Sequence, residues 1–170
     1  CLLAEHITVW DTLAITEFLA ESYPQVWPAN VRARAWARSA AAEMHSGFGT
    51  LRQMCSMNCS IQVQLHQITA DLQKDITRID EIWNEGLREF NGPYLAGNTF
   101  TAVDAFYAPV VLRIASYGLP FSDMAMAYCE LIQQLPELQA WIHAGQREPR
   151  HEEHEAACVQ YGRLTHDVRH

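Results

Sequence analysis

Two adjacent residues, Asp11 and Thr12, stand where a short β-type run gives way to a helical apolar pattern. A helix that starts there offers unpaired backbone N–H groups and the positive end of its dipole to an anion. The Thr12 hydroxyl adds a donor, and the Asp11 carboxylate can take an ammonium in a charge-assisted bond. One Asp-Thr step can therefore read both ends of an amino-acid group. The plainer role for the same aspartate is to cap its helix, and the residue types alone leave both roles open.

A second set is spaced along the chain as Met44, His45, Phe48 and Arg52. Met44 and Phe48 continue an apolar series, Ala33, Ala37, Ala40, Met44, Phe48, Leu51 and Cys55, at helical steps of three and four, which places them in a core. His45 and Arg52 lie beside that stripe and are free to face a cleft. A third set, Thr101 and Asp104, has the spacing of a capping box with Asp in place of Glu: each can accept from the other's backbone N–H. Cys55 and Cys59 are four apart but supply two ligands where a closed zinc site needs four, so the expectation is apolar thiols facing inward. His151 and His154 could hold a metal as a pair, against the plainer reading of a solvated, charged face.

Positioning these residues falls to the following elements. Leu2-Leu3 and Ile7-Thr8-Val9-Trp10 flank a polar turn and predict a hairpin. Asp11 opens a helix carrying Leu13, Ala14, Ile15, Phe18 and Leu19, which Tyr23-Pro24 ends. Residues 23–30, with two prolines and no periodicity, read as a linker. Asn30 then caps a long helix running to about Cys55, with Gly47 and Gly49 weakening its middle and marking a bend. A second long helix is expected over 61–91, with Ile68, Leu72, Ile76, Ile79, Trp83, Leu87 and Phe90 on its stripe. A third begins at Thr101 and is apolar on most sides, so it should be buried, with a kink at Pro109. Two further helices are expected over 124–135 and from Pro136. From 148 the chain turns charged and holds four of the eight histidines, which suggests a tail or a loosely docked helix. The division expected is 1–22, 23–30, 31–147 and 148–170.

Composition bounds the partners. The 170 residues are 49% apolar and 19% charged, with a formal net charge of -8. That composition supports a core and disfavours nucleic acid or an anionic membrane as partner, since both need a basic surface. No apolar run reaches the ~20 residues of a membrane span. Five scattered cysteines, an odd number without a framework, fit a reduced, cytoplasmic protein.

In this order the motifs resemble a cytosolic glutathione transferase of bacterial type. Val9-Trp10-Asp11-Thr12-Leu13-Ala14-Ile15, continuing to Phe18-Leu19-Ala20-Glu21, is similar to the strand-to-helix segment of the family's thioredoxin-like domain. Glu43-Met44-His45-Ser46-Gly47-Phe48, with Leu51-Arg52 and Met57-Asn58, is similar to its first long helix. Tyr94-Leu95-Ala96-Gly97 with Thr101-Ala102-Val103-Asp104 is similar to its turn and capping box. The resemblance implies a mainly α fold: a glutathione transferase C-terminal-like helical bundle preceded by the last strands and helix of a thioredoxin-like domain. It implies glutathione as a substrate held through its γ-glutamyl end by Asp11 and Thr12, and an electrophilic small molecule in a cleft bordered by Met44, His45, Phe48 and Arg52. Thr101 and Asp104 become structural, and the assembly a homodimer. The family's thiol-activating residue lies in a part of the thioredoxin-like domain that has no counterpart here, so no catalytic residue is assigned. The chain begins with Cys1 rather than Met, and the expectation is a cut through a domain, with this chain alone inactive. The alternative is a non-catalytic helical interaction module of the same fold.

Overall fold

Helix formation starts where the caps place it. Asp11 accepts from the backbone N–H groups of Leu13 and Ala14 and opens α1, Thr12–Ser22. Asn30 accepts from Ala33 N–H and opens α2, Val31–Ser46. Ahead of α1, β1 (Leu2–Ala4) and β2 (Ile7–Val9) pair antiparallel, Leu2 opposite Val9 and Ala4 opposite Ile7, about a turn in which Glu5 has a positive φ of 50°. A single 3-10 turn, Pro24–Val26, occupies the proline-rich connection. The computed structural model describes residues 1–169. His170, the last residue of the charged 148–170 segment, lies outside the described residues.

The expected long helix from Asn30 to Cys55 is two helices. α2 stops at Ser46, and α3 covers Gly49–Met54. Between them Phe48 sits in the left-handed region, φ 58° and ψ 43°, a conformation that turns the chain out of a helix and that bulky residues rarely adopt. The flanking Gly47 and Gly49 favour the break, because glycine is the weakest helix former after proline. The apolar series nevertheless stays buried through both helices, from Ala33 to Cys55.

The expected helix over 61–91 begins later. Residues Ile61–Leu65 form a strand, β3, whose burial alternates, and α4 runs Ala70–Glu89. Isoleucine and valine at every second position with glutamines between them is strand periodicity. The partner strand, β4, is Gly162–Asp167, antiparallel, with an irregularity between Gln62 and Val63. The remaining helices are α5 (Ala102–Tyr117, continuous through Pro109), α6 (Asp123–Gln133), α7 (Pro136–Gln146) and α8 (Glu152–Val159). The fold is thus mainly helical, with two small two-stranded sheets among the described residues.

The chain forms two compact units. The first comprises Cys1–Gly47 and Glu85–Tyr107. Its core is the alanine face of α2 with Met44, Leu95, Val103 and Tyr107. The Tyr107 hydroxyl donates to the Ala40 carbonyl at 3.1 Å. Trp36 packs on Phe90 and donates to Glu85 at 2.9 Å. A side chain on Gly86 would meet the Leu95 carbonyl oxygen and the Trp36 ring, so only glycine fits there. Asp104, fully buried, accepts from Leu95 N–H at 3.0 Å and Thr101 N–H at 2.9 Å. The half of the capping exchange in which Asp104 accepts from Thr101 is therefore in place.

The second unit comprises Phe48–Asn84 and the chain from Ala108 onward. Leu51, Leu72, Ile76, Ile79, Val110 and Ile132 are buried to within 1% exposure. Trp83 stacks on Phe121 and meets Tyr128 edge-on. The stretch expected as a tail or loosely docked helix holds α8 and β4, joined by Arg169, which bonds both oxygens of Glu155 (3.0 and 2.8 Å) and both of Asp167 (2.9 and 3.0 Å). No helix among the described residues is long and apolar enough to cross a membrane.

Candidate functional site

Asp11 carries the signs of a built site. It is a non-glycine residue held at φ 73° and ψ 135°. Sparsely populated backbone of this kind persists only where the surroundings impose it, and it clusters where ligands are clamped. The conformation aims one carboxylate oxygen, Oδ1, back along α1, where it takes the N–H groups of Leu13 at 2.9 Å and Ala14 at 3.3 Å. The other oxygen, Oδ2, meets the Nε2 of His45 at 2.9 Å. Both side chains are exposed, with relative accessibilities of 36% for His45 and 44% for Asp11. Desolvation pushes the Asp11 carboxyl up, but the N–H groups of Ala14 and Leu13 together with the His45 ring outweigh it, and the net shift is downward. The carboxylate is thus the form the site is built around.

Thr12 follows on the surface of the same helix start. Its N–H and hydroxyl make no bond to another described residue; its carbonyl takes the Thr16 hydroxyl at 2.8 Å. Two unbonded donors therefore stand beside an anionic oxygen. A carboxylate would complement the donors and an ammonium the oxygen. The capping role and the binding role of Asp11 do not exclude one another, since they use different oxygens.

The remaining candidates divide. Met44 is buried and His45 exposed, both in the first unit; Phe48 is buried and Arg52 exposed, both in the second. The structure brings His45 to Asp11, a pairing across 34 residues that no spacing rule detects. The His45 ring is also held edge-on by Phe106, with centroids 6.4 Å apart. Thr101 and Asp104 are buried and bonded to each other and to the turn at Leu95, so they brace α5 and do not face a ligand.

Of the residues offered as metal ligands, the thiols are drawn inward and His154 meets the backbone. Cys55 is fully buried, and burial pushes its thiol up to about 12. Cys59 is half-buried and also shifted upward, by burial and then by the Glu148 carboxylate. His154 contacts the Met57 carbonyl at 2.8 Å. Among the described residues no group of three or more His, Cys, Asp or Glu is placed to hold a metal ion. A separate cavity of the first unit, lined by Trp27, Pro28, Asn30, Arg34, Asn98 and Thr101, surrounds the proline-rich connection. Nothing in the sequence pointed to it.

Comparison with known proteins gives a family match over part of the chain, and a fold. Residues 62–144 match the family model described as glutathione S-transferase, C-terminal domain. A solved glutathione transferase homolog from Burkholderia gl BGR1, with bound glutathione, is 21% identical; the likeness covers 86% of this chain and 72% of that one, with a TM-score of 0.60. Glutathione transferase YghU from Streptococcus pneumoniae ATCC 700669, complexed with glutathione, is 16% identical over 89% of this chain and 56% of that one, with a TM-score of 0.40. No curated protein sequence matches the chain.

Proposed function

We propose that this chain, whose residues 62–144 match the glutathione S-transferase C-terminal domain model, binds glutathione by its γ-glutamyl end at Asp11 and Thr12 and serves a transferase acting on an electrophilic small molecule. The fold is a glutathione transferase C-terminal-like helical domain, preceded by the hairpin and helix with which a thioredoxin-like domain ends. The observation that carries the proposal is the strained Asp11 at φ 73°, with one oxygen committed to α1 and the other on His45 Nε2, followed in the chain by Thr12, whose N–H and hydroxyl bond no other described residue. The bound glutathione of the Burkholderia homolog supports the choice of ligand.

In this reading the ligand's α-carboxylate lies on the Thr12 N–H and hydroxyl at the positive end of α1. Its α-ammonium lies on Asp11 Oδ2. These contacts hold and orient glutathione without touching its sulfur. They contribute binding, and neither residue is assigned the activation of the thiol. Of the residues expected to border the electrophile, His45 is the exposed one in the same unit as Asp11. The reading includes a homodimer, which light scattering after size exclusion would report as twice the mass of one chain.

The test is an amide NMR titration of this chain with reduced glutathione. Saturable shifts confined to Thr12, Leu13 and their neighbours are expected, and Thr12→Val or Asp11→Asn should weaken them at least tenfold. Shifts absent from the start of α1, or unchanged in both variants, would sink the proposal.

A further inference from the structure

Trp27 is 2% exposed, and its indole Nε1–H meets no hydrogen-bond acceptor among the described residues. Buried donors are nearly always paired, so an unpaired one marks a place where a partner fits. The ring is held where it is. Arg38 lies over its face, 5.7 Å from the ring centroid, and both oxygens of Glu17 on α1 hold Arg38 at 2.9 and 2.8 Å. Trp27 also forms part of the wall of a cavity of about 510 Å³, all of whose lining residues belong to the first unit. That volume suits a small molecule.

Two further donors stand in that wall. Arg34 donates through Nη1 to the Pro28 and Ala29 carbonyls, at 3.0 and 2.8 Å. Those bonds tie the guanidinium to the proline-rich connection, and its Nε and Nη2 bond no described residue. Asn30 caps α2 by accepting the Ala33 N–H on Oδ1 at 3.0 Å, which leaves its Nδ2 as a donor without a described partner. The same residue places the cavity at the start of a 16-residue helix, where the dipole is positive. No acidic residue lines the cavity among the described residues. Asp104, bonded to the lining residue Thr101, is fully buried and gives its oxygens to the Leu95 and Thr101 N–H groups. Donors and a positive charge with no acid call for an acceptor that is negative, and the Pro28 and Ala96 side chains beside them call for an apolar body.

We propose that this cavity is a second binding site, one for a small organic carboxylate with an aromatic body. The carboxylate takes the Nε–Nη2 edge of Arg34, in the two-point geometry that a guanidinium offers. Asn30 Nδ2 and Trp27 Nε1 are its further donors, and the body lies against Pro28, Ala96 and the Trp27 ring. Nε1 is shielded from solvent. The ligand reaches it as the exposed side chains of Gln25 and Asn98, which also line the cavity, turn aside, while the indole stays under Arg38. The site shares no residue with the Asp11–Thr12 step and does not depend on the glutathione reading.

The indole N–H signals of the chain in a proton–nitrogen NMR titration read this directly, the Trp27 signal being the one missing from Trp27→Phe. The probes are 2-naphthoate and its neutral counterpart 2-naphthamide. Naphthoate should move the Trp27 signal saturably, with a dissociation constant below about 1 mM, and naphthamide should bind at least about tenfold more weakly. This comparison needs no variant, so it stands even if a substitution loosens the proline-rich connection. Arg34→Gln and Trp27→Phe, the second followed on the Ala96 amide, should each weaken naphthoate at least about tenfold. A Trp27 signal that stays still up to about 10 mM naphthoate, equal binding of the two probes, or an affinity unchanged in both variants each overturns the proposal. Movement of the Thr12 amide without the Trp27 indole also overturns it, by placing the carboxylate at the start of α1; that result would leave the glutathione contacts standing.

Discussion

Single residues in this chain do more than their types announce. Asp104 is a fully buried carboxylate whose two oxygens take the N–H groups of Leu95 and Thr101. Asp104→Ala leaves those buried donors without an acceptor, and a cost on the order of 1–3 kcal/mol is expected in urea unfolding. Asp104→Asn keeps the size and one acceptor, so it should cost less. Gly86→Ala is the sharper case, since the added methyl must displace the Leu95 carbonyl or the Trp36 ring. A loss of about 1–3 kcal/mol is expected from such overpacking, and a variant as stable as the original would show that the helix end can shift. The Thr101–Asp104 pair was legible because its partners are three apart, within the reach of a local rule. Asp11 was legible as a cap or a ligand contact for the same reason. Its pairing with His45 was not, because it depends on where α2 lies against the start of α1, and spacing along a chain holds no information about that.

Elements show the same division between local and distant causes. The burial of Ala33 through Cys55 follows the three-and-four stepping of the sequence, although Phe48 breaks the helix in the middle. The stepping reports which side faces a core; it does not report whether the backbone is continuous. β3 escaped notice because a five-residue strand needs a partner, and its partner lies about a hundred positions away. Once β4 is known, the charged end of the chain gains a role: Arg169 joins α8 to β4 through Glu155 and Asp167, and Arg150 adds a bond to Asp167 at 3.0 Å. Bonding to Arg169 holds the Asp167 carboxyl down at about 2 from an ordinary 3.8, and Glu155 is lowered for the same reason. A carboxyl whose value is lower in the folded state stabilises fully above its unfolded value and loses that contribution as pH falls through the folded one. The α8–β4 segment should therefore stay docked at pH 5 and loosen progressively from about 3.8 down to about 2. Amide exchange along β4 measures it, and Arg169→Ala should expose the same amides at neutral pH. Protection of β4 that is indifferent to both changes would show that strand pairing alone holds it.

At the scale of the molecule, the balance of charge and apolar surface sets how copies meet. The first unit exposes Leu3, Ile7 and Trp10 at 73%, 53% and 73%. Leu3 and Ile7 point to opposite faces of the hairpin, since Leu3 pairs with Thr8 and Ile7 with Ala4. A two-stranded hairpin uncovered on both faces is marginal by itself, and α1 behind it has no buried residue. Apolar surface of this kind favours association. Opposing it, a net charge of -8 makes copies repel one another. Repulsion is screened by salt, with a range that falls to about 3 Å at 1 M, whereas apolar contact is not. Association of the chain should accordingly strengthen as salt is raised from about 0.05 to 0.5 M, the reverse of what an ion-paired interface would do. Leu3→Ser with Trp10→Ser should abolish that rise in mass by light scattering. Because both side chains are mostly solvated already, the double variant should keep its melting temperature, each change lying within about 0.5 kcal/mol. A mass that still rises with salt in the double variant would move the contact surface away from the hairpin, and a large drop in melting temperature would mean that these residues support the first unit from within.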